Sequence, residues 1–316
     1  MFFHVSKKPL ELTVINLNER QTEVKERLAG TTKRDKDKIC HWNKLLGCLK
    51  KSTDNDKKTA NAVYVLDFVG DIKASAVDKL REEVSAIISY AKAGDEVVVR
   101  LESAGGQVHS YGLAAAQLAR LKTAGLHLTV CVDKVAASGG YMMACVADKI
   151  LTTPFAIIGS IGVVSQMPNF YEFLQKHDID VELFTAGEYK RTVTMFGKND
   201  DDDRAKYQAE LERIHTLFQA HIATHRPSLA VEKVATGEFW LGSDALALNL
   251  VDVLTTSDAY LLEKLKDSTV LMLHSKERVG LAQKLGFNEM VADGVESVWA
   301  WAQSTPLVAL AKNYNK

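Results

Sequence analysis

From about residue 61 the chain alternates short apolar runs rich in β-branched residues with longer segments of helical period. This alternation is the feature that most narrows the fold. Strands are expected at 62–68 (AVYVLDF), 96–102 (EVVVRLE), 127–135 (HLTVCVDKV), 149–154 (KILTTP) and 179–185 (IDVELFT). Between them, helices are expected at 77–92, 108–125, 139–148 and 169–177, and a long amphipathic one follows at 201–226. The last opens on Asp201-Asp202-Asp203, acidic residues that suit the positive end of a helix dipole. Strands separated by helices imply βαβ units, hence an α/β domain with a largely parallel sheet covered by helices. In such sheets ligands bind beyond the C-terminal ends of the strands. The chemistry is therefore sought where strands give way to helices.

Residues 1–60 read differently. They carry fourteen Lys or Arg against eight Asp or Glu, and only 18–29 has the look of a short, mostly polar helix. This stretch is expected to be a charged arm, either solvated or drawn to anionic lipid headgroups. The body is assigned to 61–275 and a helical extension to 276–316, where Trp299 and Trp301 lie in an apolar context. That extension is expected to pack on the body or a neighbouring subunit, or to sit at a membrane interface. The net charge of −1 argues against nucleic acid as a partner. No run of 18 or more apolar residues is present, and the start has no signal-peptide pattern. Cys131 and Cys145 read as small core residues, and neither they nor Cys40 and Cys48 have zinc-site spacing. No metal or cofactor is expected.

Three junctions could carry chemistry. In LESAGGQV (101–108) a strand ends at Ser103-Ala104-Gly105-Gly106 and a helix begins. The paired glycines permit a sharp turn and leave N–H groups able to stabilise an oxyanion, although a plain tight turn has the same sequence. In DKVAASGGYMMA (133–144) Ser138 stands between two alanines and two glycines. It is either a nucleophile, with the Gly139 N–H pointing into the same space, or a helix cap. In FTAGEYKRTVTMFG (184–197) Lys190 lies among small and apolar residues. Burial would depress its pKa and let it accept a proton, whereas most lysines are solvated surface charges. A serine needs such a base. None of the nine histidines sits in a small-residue turn like that of Ser138; His109, after the Gly105-Gly106 turn, is the best of them.

AASGGYMMACVADKI, PFAIIGSIGV, AGEYKRT and TGEFWLGSDALALNLVD together resemble the signal peptide peptidase A family of serine–lysine peptidases. The resemblance runs over about residues 62–260. It implies a ClpP/crotonase-type fold of repeated ββα units. It also implies Ser138 as nucleophile, Lys190 as general base, and Ser160 of GSIG as the residue that holds the lysine amine. Gly139 with Gly105 or Gly106 would form the oxyanion hole. It further implies an endopeptidase acting on membrane-derived or signal peptides and unfolded segments, a homo-oligomer, and a bacterial inner-membrane location on the periplasmic face. Three departures stand out. Ala104 replaces the family's proline, Asn249 replaces a glycine before Leu250-Val251-Asp252, and the family's N-terminal membrane helix has no counterpart in this sequence. Two rival readings of the same fold are a non-catalytic membrane-associated scaffold and a crotonase-like acyl-CoA enzyme.

Overall fold

The computed structural model describes residues 10–31, 61–187 and 189–277. The chain separates into two compact units, 12–274 and a second made of 1–11 with 275–316; the description concerns the first. Nearly all of the C-terminal extension, with Trp299 and Trp301, and residues 32–60 of the arm lie outside the described residues.

In chain order the elements begin with β1 (Leu10–Asn16), α1 (Leu17–Thr31), β2 (Ala62–Gly70), α2 (Val77–Tyr90), β3 (Glu96–Ser103) and α3 (Val108–Thr123). Next come β4 (His127–Val132), β5 (Val135–Ala137), α4 (Gly139–Ala144), β6 (Lys149–Thr152), β7 (Ile157–Gly159) and α5 (Tyr171–Gln175). The last are α6 (Asp201–His225), α7 (Val231–Val234), β8 (Phe239–Leu241), α8 (Gly242–Ala247), β9 (Val253–Leu254), α9 (Ser257–Asp267) and β10 (Thr269–Glu277). Among the described residues the strands follow the order β1-β10-β2-β3-β4-β6-β9, and every pairing from β10 to β9 is parallel. A short branch leaves the end of β3, where Ser103 pairs with Ala136; β5 runs parallel to β7, and β7 antiparallel to β8. The fold is thus α/β with a mainly parallel sheet, as the alternation implied.

Side chains on a strand alternate between faces, and β3 shows what each face meets. Val97, Val99 and Leu101 enter the main core with Leu80, Val84 and Ile87 of α2 and Leu118 and Leu121 of α3. Val98 points the other way, into a smaller cluster with Val63, Val65, Cys131, Val270 and Leu261 of α9. A sheet buried on both faces explains why β2, β3 and β4 are almost continuously apolar.

The polar helix expected at 18–29 is present as α1. Asn18 ties it to the body, its side-chain oxygen accepting from the Val270 N–H at 2.8 Å and its amide donating to the Ser268 carbonyl at 3.0 Å. The long acidic-started helix is present as α6, its N-terminus fixed by a capping box between Asp200 and Asp203. Two expectations are corrected. HLTVCVDKV is not one strand, because the chain breaks at Asp133-Lys134 and restarts as β5 in the branch. IDVELFT (179–185) forms no strand, although Ile179, Val181 and Leu183 alternate; alternation makes a strand only where a partner edge is available, and among the described residues none pairs with it.

Candidate active site

The branch sets up the site. β5 ends at Ala137 and α4 starts at Gly139, so Ser138 makes the whole turn between them. Its φ is 50°, a region that non-glycine residues seldom occupy, and it persists only where surroundings enforce it. Here the Ser138 N–H donates to the Gly159 carbonyl at 2.7 Å and the Ser138 carbonyl accepts from Met142 at 2.9 Å. Its side chain makes no capping bond. The cap reading therefore fails, and Ser138 lines a cleft of about 900 Å³ with Ala104, Gly105, Gly106, Ser160 and Gly162.

Two positions must lack a side chain for this packing. A Cβ on Gly105, whose φ is 91°, would lie 2.6 Å from the Gly139 nitrogen, and one on Gly139 would lie 2.4 Å from the Tyr111 ring. The SAGG turn is thus pressed against the Ser138-Gly139 turn, 30-odd residues further along the chain. Their N–H groups are not equivalent. Gly105 N–H already donates to Ser103 Oγ at 3.1 Å. Among the described residues no protein group accepts from the N–H of Gly106 or Gly139. Those two N–H groups, of which Gly106 lines the cleft and Gly139 is buried behind Ser138, are the ones not engaged by the protein there.

Behind the turn lies a network the sequence did not reveal. Tyr111 is fully buried, and its hydroxyl donates to the Asp71 carbonyl at 2.8 Å. Ser103 Oγ is 2.5 Å from that Tyr111 hydroxyl oxygen. With Tyr111 donating to Asp71, the directions follow: Ser103 donates to Tyr111 and accepts from Gly105. Burial pushes the Tyr111 hydroxyl pKa up, so it stays protonated as this arrangement requires. The only sequence signal was Tyr111 on the apolar face of its helix, which reads as ordinary core.

Ser160 follows β7, with φ 50° and its N–H donating to the Glu238 carbonyl at 2.7 Å. Gly159 before it has φ 98°, and a Cβ there would strike the Trp240 ring at 2.6 Å. The structure therefore brings Ser138, Ser160, Gly105, Gly106 and Gly139 together. Lys190 does not line this cleft. It is exposed on the segment between β7 and α6, its N–H donating to Gly187 at 3.2 Å, and its amine meets no partner among the described residues. The desolvated surroundings expected for this lysine are not found in the single chain, because the described residues of 163–200 hold only the five-residue α5 and expose most of their side chains.

His109 is also exposed and outside the cleft lining. The histidine that does line the cleft is His215 of α6, whose Nε2 lies 3.2 Å from the Ile161 carbonyl. Cys131 and Cys145 are buried; burial pushes the Cys131 thiol up to about 12 and the Cys145 thiol further, which leaves both inert as nucleophiles. Among the described residues no group of three or more His, Cys, Asp or Glu side chains is placed to hold a metal. Asn249, standing where a glycine was expected, adopts φ 59°, the left-handed conformation that asparagine tolerates.

An uncapped serine on a forced turn, facing a cleft beside two open backbone N–H groups, defines the class: a serine hydrolase. The comparisons with known proteins narrow it. Residues 120–271 match the model of peptidase family S49, and residues 3–118 match that of the family's N-terminal region. Probable protease SohB of Haemophilus influenzae is 56% identical over 237 residues, 75% of this chain and 67% of that protein. Putative protease SohB of Buchnera aphidicola subsp. Baizongia pistaciae is 45% identical over 293 residues, 88% of this chain and 84% of that protein. A solved membrane-bound stomatin-specific protease bound to a substrate peptide is 14% identical with a TM-score of 0.45, covering 72% of this chain and 97% of that one. The chain belongs to peptidase family S49, and it is a serine-type peptidase.

Proposed function

We propose that this protein is an endopeptidase using a Ser138–Lys190 dyad. The observation that carries the reading is the Ser138 turn: φ 50°, no cap, and an open Gly139 N–H one residue on. In the proposed reaction neutral Lys190 Nζ takes the proton from Ser138 Oγ as Oγ bonds to the scissile carbonyl carbon. The resulting oxyanion accepts from the N–H groups of Gly139 and Gly106. The tetrahedral species collapses, the C–N bond breaks, and the Lys190 ammonium returns its proton to the leaving amine. Water then attacks the acyl ester, with Lys190 again as base, and frees Ser138. Ser160 is given the role of holding the Lys190 amine. Gly106 is preferred over Gly105 as the second donor, because Gly105 N–H is engaged by Ser103.

The substrates proposed are membrane-derived or signal peptides and unfolded segments, at the bacterial inner membrane on its periplasmic face, with the full-length protein membrane-associated. Among the described residues no helix is long and apolar enough to cross a membrane. A homo-oligomer is part of the proposal. What supports it is the run of exposed apolar side chains on the Lys190 segment, among them Phe173, Val181, Leu183 and Phe184. Covering that segment with a neighbouring subunit would also desolvate Lys190, which its general-base role demands.

The test is cleavage of unfolded casein and hydrophobic fluorogenic peptides by wild type, Ser138→Ala, Lys190→Ala and Lys190→Arg. The dyad reading expects all three variants to be folded and inactive, the arginine because it does not give up its proton. Near-normal activity in Lys190→Ala, with Ser138→Ala dead, would overturn it.

A further inference from the structure

The cleft around Ser138 has unlike walls. Ile72, Val108, Val163 and Val164 are apolar, and the glycine turns contribute only backbone. The remaining wall is α6, which presents Gln208, Leu211, Glu212 and His215 on successive turns. Among the described residues lining the cleft, Glu212 is the only Asp, Glu, Lys or Arg. Its carboxylate accepts from the Gln208 amide at 3.1 Å and forms no ion pair with any described residue, Arg213 beside it included.

A single carboxylate in a concave site lined by no lysine or arginine sets the sign of the potential a ligand meets there. From this we infer that Glu212 is a specificity-determining residue: it gives the cleft a subsite for a basic side chain, lysine or arginine, of the bound peptide. The apolar wall and the carboxylate together select an extended segment in which a cationic residue accompanies apolar ones. Gln208 holds the carboxylate in place, and the aliphatic stem of a lysine or arginine has Leu211 to lie against. An acidic side chain at the same position meets repulsion. The inference rests on Ser138 marking the peptide-binding cleft, and it adds a preference that neither the family nor the nucleophile dictates.

The experiment uses matched peptides in which Lys, norleucine or Glu is placed in turn at each position around the scissile bond. Wild type is expected to favour Lys over norleucine at one position by about 2- to 5-fold in kcat/KM, the range of a partly exposed ion pair. Glu212→Gln brings that ratio to about 1, and Glu212→Arg inverts it in favour of Glu. Glu210→Gln removes a carboxylate from the same helix outside the cleft lining and leaves the ratio intact. The same peptides are titrated by fluorescence anisotropy onto Ser138→Ala protein, with and without Glu212→Gln, so that Kd ratios answer the question without turnover. If wild type cleaves nothing while the Kd ratios follow Glu212, the endopeptidase reading falls and the subsite stands. If no position prefers Lys, or if Glu212→Gln keeps the preference, or if Glu210→Gln loses it equally, the subsite is refuted.

Discussion

Replacing Tyr111 by phenylalanine tests whether the active-site turn is held from behind. The change removes one oxygen and keeps the ring, so the contacts under Gly139 and the packing of α3 are preserved. Lost are the bond to the Asp71 carbonyl at 2.8 Å and the contact with Ser103 Oγ at 2.5 Å. The two stranded groups differ. Asp71 lies in an exposed loop where water can replace the donor, whereas Ser103 is buried at 2% exposure and its hydroxyl has no second acceptor among the described residues. An unsatisfied buried polar group costs about 1–3 kcal/mol, so the expected loss is one such penalty, about 2 kcal/mol, plus a small remainder from Asp71. Urea unfolding followed by far-UV circular dichroism reads this as a lower midpoint at unchanged slope. A second consequence separates this network from ordinary packing. Ser103 Oγ anchors the Gly105 N–H, so Tyr111→Phe should lower kcat more than it raises KM. In a double-mutant cycle with Ser103→Ala the two changes should couple by about 0.5–3 kcal/mol, the range for residues in one network. A stability loss below about 0.5 kcal/mol, the level of an inert surface change, or strict additivity with Ser103→Ala, would refute the reasoning.

Other outcomes follow from the same structure. Gly106→Ala places a Cβ 2.2 Å from the Ile72 carbonyl, so the turn must shift; if Gly106 is the oxyanion donor proposed above, folded protein with kcat down by about 100- to 1000-fold is expected, the usual cost of displacing such a donor. Arg226 is buried and grips Asp252 through two bonds of 2.8 and 2.9 Å while donating to the Asn249 carbonyl; Arg226→Ala should destabilise by about 3 kcal/mol, the low end for a broken buried pair because Asp252 is partly exposed, as read by thermal unfolding. Burial works to raise the Glu96 pKa, but hydrogen bonds from Lys264, Thr129 and Tyr260 outweigh it and hold the carboxyl below its ordinary value. A depressed carboxylate contributes stability that is present above its unfolded pKa, about 4.3, and is lost as pH falls through the folded value, so Glu96→Gln should flatten that part of the acid limb of a stability–pH curve.

What was legible in the sequence follows the range of the interactions involved. The strands at 62–70 and 96–103 and the helices at 77–90 and 108–123 announce themselves because apolar period is a local property: the strands are buried on both faces and the helices on one. Ser138 was legible for a similar reason, since two alanines before it and two glycines after it describe a crowded strand-to-helix turn. The same local reading misplaced IDVELFT, whose alternation is that of a strand but which finds no partner edge among the described residues, and it took HLTVCVDKV as one strand because β5 belongs to a branch defined only by its pairing with β3 and β7. The sequence by itself determined an α/β chain with a candidate nucleophile at one junction and candidate glycine donors at two. Only the tertiary structure decided which donors remain open, that Tyr111 and Ser103 lock the turn, that Lys190 stands exposed on the single chain, and that Glu212 faces Ser138's cleft from a helix more than 70 residues away. Those facts are long-range contacts, and no period or spacing along the chain encodes which surfaces meet.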